Sequence, residues 1–140
     1  MKNTKKLRNL SMVLALTLVL TMAFATVAEA SWYGYTSATF SNSVKGAGRY
    51  YDGNNVGLNW GASTHNSNPN HVSNSNGFNV ALERKNALGI WTRVGSVNKP
   101  RSGAGGATWT NVGPGTYRFY FWKSNDGTKQ YVEDIEMFSW

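Results

Sequence analysis

No cysteine occurs among the 140 residues of this chain. Disulfide staples, thiolate nucleophiles, iron–sulfur clusters and cysteine-based zinc sites are excluded at once. Acidic side chains are scarce, seven against fourteen Lys and Arg, and there are two histidines. The usual suppliers of general acid–base chemistry are thus few. Beyond residue 30 no stretch repeats apolar residues at i, i+3, i+4 and i+7, so no amphipathic helix is expected. There is no G-x-S-x-G nucleophile motif. Gly103, Gly105 and Gly106 lack the Lys-Ser/Thr pair and the following helix of a phosphate-binding loop.

Long apolar runs are missing too, with one exception. Leu10 to Ala25 is apolar apart from Ser and Thr, follows Lys2, Lys5, Lys6 and Arg8, and leads into Ala28-Glu29-Ala30. That order of positive, apolar and A-x-A segments is the layout of a secretory signal peptide. The run is shorter than the roughly 20 residues of a membrane-spanning helix. Residues 1–30 are read as a signal cleaved after Ala30, and 31–140 as one secreted, extracellular domain. That domain keeps ten Lys and Arg against six Asp and Glu, a net charge of +4. A mildly basic field favours anionic cell-wall polymers, acidic polysaccharide or an anionic membrane surface. The basic residues form no stripe, so nucleic acid is not expected as a partner.

Aromatic residues are plentiful. All six Trp, all seven Tyr and five of six Phe follow residue 30. They fall in short alternating runs punctuated by Gly and Asn, the pattern of strands and turns. Strands are expected near 33–40, 49–51, 56–63, 78–83, 90–97, 107–112, 116–123 and 129–138. The reading is all-β: a single small antiparallel β-sandwich, jelly-roll or fibronectin-like, of about eight strands. Val56, Leu58 and Trp60 form the clearest apolar face. The segment "WTNVGPGTYRFYF" resembles the late hairpin of many extracellular jelly-roll and fibronectin-like sandwiches.

Four features compete for a functional role. "THNSNPNHVSNSNG" (64–77) holds both histidines and five asparagines. Zinc takes three or four His, Cys or carboxylate ligands, and no acid lies between Asp52 and Glu83. The segment is therefore read as a polar rim loop without a metal, with Asn66, Asn68, Asn70 and Asn74 as its ligand-touching candidates. In Thr116 to Lys123, Tyr117, Phe119 and Phe121 alternate with Arg118, Tyr120 and Trp122. The first set is expected in the core. The second is expected outside, with Arg118 between the two rings, and forms a candidate binding platform together with Trp91, because flat rings stack on sugars and lie well at interfaces. Packing alone, with Arg118 covering ring surface, explains the same pattern. Asp134 and Glu136 are spaced to share a strand face about 7 Å apart. That is within the roughly 6.5–9.5 Å of inverting glycosidases, although most such pairs are merely solvated. Asp126 is read as a turn residue.

No cofactor is implied. The leading functional expectation is a non-catalytic secreted protein that binds cell-envelope or extracellular polysaccharide through exposed aromatics. At its two ends, "SWYGYT" and "EMFSW", the order of features resembles small exported β-type bacteriocins of Gram-positive bacteria, which implies action on a competitor's envelope. A small glycoside hydrolase is the third reading. The protein in culture supernatant is expected to begin at Ser31. Intact-mass measurement checks this, and a species still carrying Met1 to Ala30 would overturn it.

Overall fold

The computed structural model describes residues 30–64 and 77–140. Among them are ten strands: β1 (Trp32–Phe40), β2 (Ser43–Lys45), β3 (Arg49–Tyr51), β4 (Val56–Trp60), β5 (Ala62–Thr64), β6 (Phe78–Lys85), β7 (Trp91–Lys99), β8 (Gly105–Trp109), β9 (Gly115–Trp122) and β10 (Gln130–Ser139). They form two antiparallel sheets. The first has the order β1-β10-β4-β8, with β5 also on β10; the second has the order β2-β9-β6-β7, with β3 also on β9. Both extra strands continue a neighbour along the same edge. β4 and β5 follow one flank of β10 and break at Gly61. β2 and β3 follow one flank of β9. Counting each pair as one gives the eight strands expected. Their order is then first, eighth, third, sixth in one sheet and second, seventh, fourth, fifth in the other. That is the jelly-roll arrangement.

The inner faces follow from period-two patterning. Tyr117, Phe119 and Phe121 of β9 and Phe78, Val80 and Leu82 of β6 meet Val56, Leu58 and Trp60 of β4 and Val132, Ile135 and Met137 of β10. Phe78 is a hub, with ring centroids 6.2 Å from Phe40, 5.6 Å from Trp60 and 6.4 Å from Phe121. Burying one such side chain contributes about 1.5–3 kcal/mol. The Tyr117 hydroxyl lies 2.7 Å from the Val112 and Gly113 carbonyl oxygens. This ties the Gly113-Pro114-Gly115 turn to the strand it precedes, in the manner of a tyrosine corner.

Three local expectations change. β2 was not foreseen, because Val44 is its only apolar residue. β8 begins at Gly105, two residues before the expected start at 107 and at the end of the Gly-rich segment 101–106. Arg101 of that segment is buried. Its guanidinium lies 2.6 Å from Asp126, and Lys123, also buried, lies 2.7 Å from the other carboxylate oxygen. Thr128 donates to the same carboxylate from its backbone and its hydroxyl. Asp126 is therefore the anchor of two buried cations as well as a turn residue. A second clasp joins the start of β1 to the end of β10. The Ser31 nitrogen donates to Ser139 Oγ at 3.1 Å, Ser139 N donates back to the Ser31 carbonyl at 2.8 Å, and Ser31 Oγ donates to Asp52 at 2.5 Å.

Burial alone would raise the Asp126 pKa, but hydrogen bonds from Lys123, Thr128 and Arg101 outweigh it and hold the carboxyl well below its ordinary range. A depressed folded-state pKa stabilises the fold above the unfolded value of about 3.9, and the contribution is lost as pH falls below it. Asp126→Ala is expected to lower stability by about 3 kcal/mol at pH 7, the low end for breaking a buried ion pair. Denaturant unfolding at pH 7 and pH 3 checks this: the gap between wild type and variant should narrow at the lower pH.

Candidate functional site

The outer face of the second sheet carries the four ring and cation residues singled out in the sequence. Alternation along β9 points Arg118, Tyr120 and Trp122 away from the core, and all three are half-buried. Tyr120 and Trp122 stack with centroids 5.1 Å apart and planes 22° apart. The cation above them is Arg93 of β7, 4.6 Å from the Trp122 centroid and 5.6 Å from that of Tyr120. Lys45 of β2 covers Tyr120 from the other side at 5.1 Å. Arg118 does not lie between the two rings as expected. Register places it opposite Glu83, and its Nε and Nη2 both lie 2.7 Å from the Glu83 carboxylate. The same guanidinium sits 4.3 Å from the Trp91 ring centroid, with Lys85 at 5.8 Å. Trp91 in turn lies over Gly48, where a β-carbon would come within 2.8 Å of the indole. Trp91, Tyr120 and Trp122 are thus each roofed by cations of their own chain, contacts worth about 0.5–2 kcal/mol apiece.

The first sheet carries an open cleft, and two opposed bulges make it. Between the pairs Tyr33↔Met137 and Thr36↔Ile135, β1 has one extra residue; between Thr36↔Ile135 and Ala38↔Val132, β10 has one. Asp134 takes up the β10 surplus with φ of 52°, a left-handed conformation that Asp tolerates better than most residues. Val132 and Ile135 both stay buried, so Glu133 and Asp134 are both exposed. Bulges re-aim side chains in this way. Gly61, at the break between β4 and β5, leaves room for the displaced acid: a β-carbon there would sit 3.3 Å from the Asp134 carboxylate.

The result is a cleft of about 510 Å3 lined by Tyr35, Asn59, Trp60, Gly61, Asp134 and Glu136. A second hollow of about 460 Å3, lined by Thr36, Ser37 and Glu133, shares Tyr35 and Asp134 with it. Tyr35 is 68% exposed and Trp32 60%, and their rings meet edge to face at 6.2 Å. The Tyr35 hydroxyl bonds to Glu136, and that bond together with the Glu136 charge pushes the phenol pKa above its ordinary value. Charge separates by sheet. Strands of the first sheet hold Glu133, Asp134 and Glu136 and no Lys or Arg. Strands of the second hold Lys45, Arg49, Arg84, Lys85, Arg93, Lys99 and Arg118, with Glu83 as their one acid.

Trp91, Arg118, Tyr120 and Trp122 are therefore brought together on one face. Asn66, Asn68, Asn70 and Asn74, with His65 and His71, lie outside the described residues. Among the described residues no three His, Asp or Glu converge as a metal set would. Tyr35, Asn59 and Trp32 were not foreseen as a site. The repeated rings of "SWYGYT" around Gly34 were the available signal, and the Asp134–Glu136 spacing was the other. Compared with known proteins, the chain matches no protein-family model and no curated protein.

The two faces of β9 are expected to respond differently to truncation. Phe119→Ala removes a core ring and should lower stability by about 3–5 kcal/mol. Trp122→Ala, which loses one stack and one cation contact, should lower it by about 1–2 kcal/mol. Denaturant midpoints compare them; equal losses would mean that Trp122 is as deeply packed as Phe119.

Proposed function

We propose that this is a secreted, non-catalytic protein that binds extracellular or cell-envelope polysaccharide, and that the cleft of the first sheet is its binding face. The observation that carries the reading is the exposed Trp32–Tyr35 pair beside a cleft lined by Asp134, Glu136 and Asn59. Open ring faces stack on the apolar faces of sugar rings. Carboxylate and amide oxygens accept hydrogen bonds from sugar hydroxyls, and the Asn59 amide donates. The acidic lining favours a neutral or amine-bearing glycan over an anionic one. The platform expected around Tyr120 and Trp122 is less suited to stacking, because Arg93 and Lys45 occupy the ring faces.

Cosedimentation with insoluble neutral glycans tests the reading. Trp32→Ala with Tyr35→Ala should weaken binding at least tenfold and leave the unfolding midpoint nearly unchanged, since both rings are exposed. Retention of full binding by this double variant would overturn it. Two carboxylates in one cleft also meet the minimal requirement for glycoside hydrolysis. Release of reducing ends by the wild type, abolished in Asp134→Asn or Glu136→Gln, would replace binding by catalysis.

One observation favours an antibacterial role as the second reading. Lys45, Lys85 and Arg93 are exposed on the second sheet and belong to no ion pair among the described residues. Such a face attracts an anionic envelope. Growth inhibition of competing bacteria, lost when these three become Gln, would establish that role.

A further inference from the structure

Protein interiors are close-packed, and voids larger than a water molecule are few. This sandwich departs from that rule at one edge. Between the edge strands β1 and β2 lies a cavity of about 200 Å3, several times the roughly 30 Å3 share of one water. Its floor is apolar: Phe119 and Phe121 of β9 face Ile135 and Met137 of β10. All four are buried members of the core. None offers a strong hydrogen-bond partner, so water inside gains little, whereas an apolar chain would gain contacts on both sides. Arg49 also lines the cavity. Its guanidinium rests on the Tyr33 ring, 4.9 Å from the centroid. It belongs to no ion pair among the described residues. The Lys45 stem lines the same rim, although its ammonium turns to Tyr120. The cavity shares no lining residue with the cleft of Tyr35, Asp134 and Glu136, and only Thr36 and Ser37 with the hollow beside that cleft, so its test, which uses neither residue, does not depend on the glycan reading.

We infer that this edge cavity is a binding site for a free single-chain amphiphile with an anionic head, such as a medium-chain fatty carboxylate. The apolar chain enters between the sheets onto Phe119, Phe121, Ile135 and Met137. The head stays at the rim, where Arg49 supplies a planar pair of donors suited to a carboxylate. The volume takes one chain and is too small for two, so a diacyl lipid does not fit. A medium-length chain dissolves as a monomer, and the ligand is drawn from solution.

The probe is decanoate, titrated below its micelle concentration into the intact protein by calorimetry. One saturable site per chain is expected. Decanol, with the same chain and no charge, should bind about tenfold more weakly. Arg49→Gln should reduce decanoate to the affinity of decanol and leave decanol unchanged. Ala47→Phe, placed at the rim, should fill the opening and abolish binding of both. Arg49→Gln leaves the four floor residues in place and gives up one cation–π contact with Tyr33, so the test holds even if the plugged variant misfolds. Phosphatidylglycerol vesicles form the last arm, and no cosedimentation above that of the Arg49→Gln variant is expected. Failure of decanoate to saturate, equal affinity for decanoate in wild type and Arg49→Gln, or Arg49-dependent vesicle binding without decanoate binding would each overturn the assignment.

Discussion

β10 has one residue too many for its register, and the outer architecture of the first sheet depends on where that residue goes. The strand lies between β1 on one flank and β4 and β5 on the other. Val132, Ile135 and Met137 must all stay inside, because a slip of one residue would move every later side chain to the wrong face. The odd spacing from Val132 to Ile135 cannot be met by regular pleat, so the surplus is pushed outward at Asp134. β1 compensates with its own extra residue one step along, which frees Tyr35 from the pleat and turns it to solvent. Gly61 supplies the space opposite. Core packing thus dictates the bulges, and the bulges dictate the cleft.

The second organising feature is the separation of charge between sheets. Stacked sheets lie about 10 Å apart, and the Debye length at physiological salt is about 8 Å. Each outer face therefore presents its own field to a ligand with little cancellation from the other. An anionic polymer is attracted to the face of Lys45, Lys85 and Arg93 and repelled from that of Glu133, Asp134 and Glu136. The modest net charge of the domain conceals this division, since it averages two faces that a ligand meets separately.

The fold was legible in the sequence because alternation survives in three of the four central strands. β4, β6 and β9 bury the residues their spacing assigns, Trp60 among them. The site was legible only in part. Strict alternation across "YVEDIEM" puts Val132 and Asp134 on one face, whereas burial of Ile135 wins and the pattern breaks between them. Nothing local marks such a break, because it is forced by the neighbouring strands. Arg93 illustrates the same limit. Spacing along β7 puts it on the face of Trp91, but its position over Tyr120 and Trp122 depends on reaching across β6, a distance set by sheet order. Asp126 carried the marks of a turn residue, and its burial with Arg101 and Lys123 follows from contacts more than twenty residues apart in one case and three in the other.

The two aromatic faces show how one residue type is covered in one place and left exposed in another. Trp91, Tyr120 and Trp122 lie on the sheet that holds the strand cations, and each ring carries a guanidinium or ammonium above it. Those contacts fix the rings and remove the surface that a sugar would need. Trp32 and Tyr35 lie on the sheet whose strands hold no Lys or Arg, so no strand cation of that sheet is available to roof them. Their partners are each other and the Glu136 carboxylate, which acts on the Tyr35 hydroxyl. Exposed aromatic area carries a hydration penalty that packing would normally relieve. Here the charge distribution of the fold leaves Trp32 and Tyr35 without cation cover, and on their sheet the bulges have opened a cleft lined with hydrogen-bonding groups.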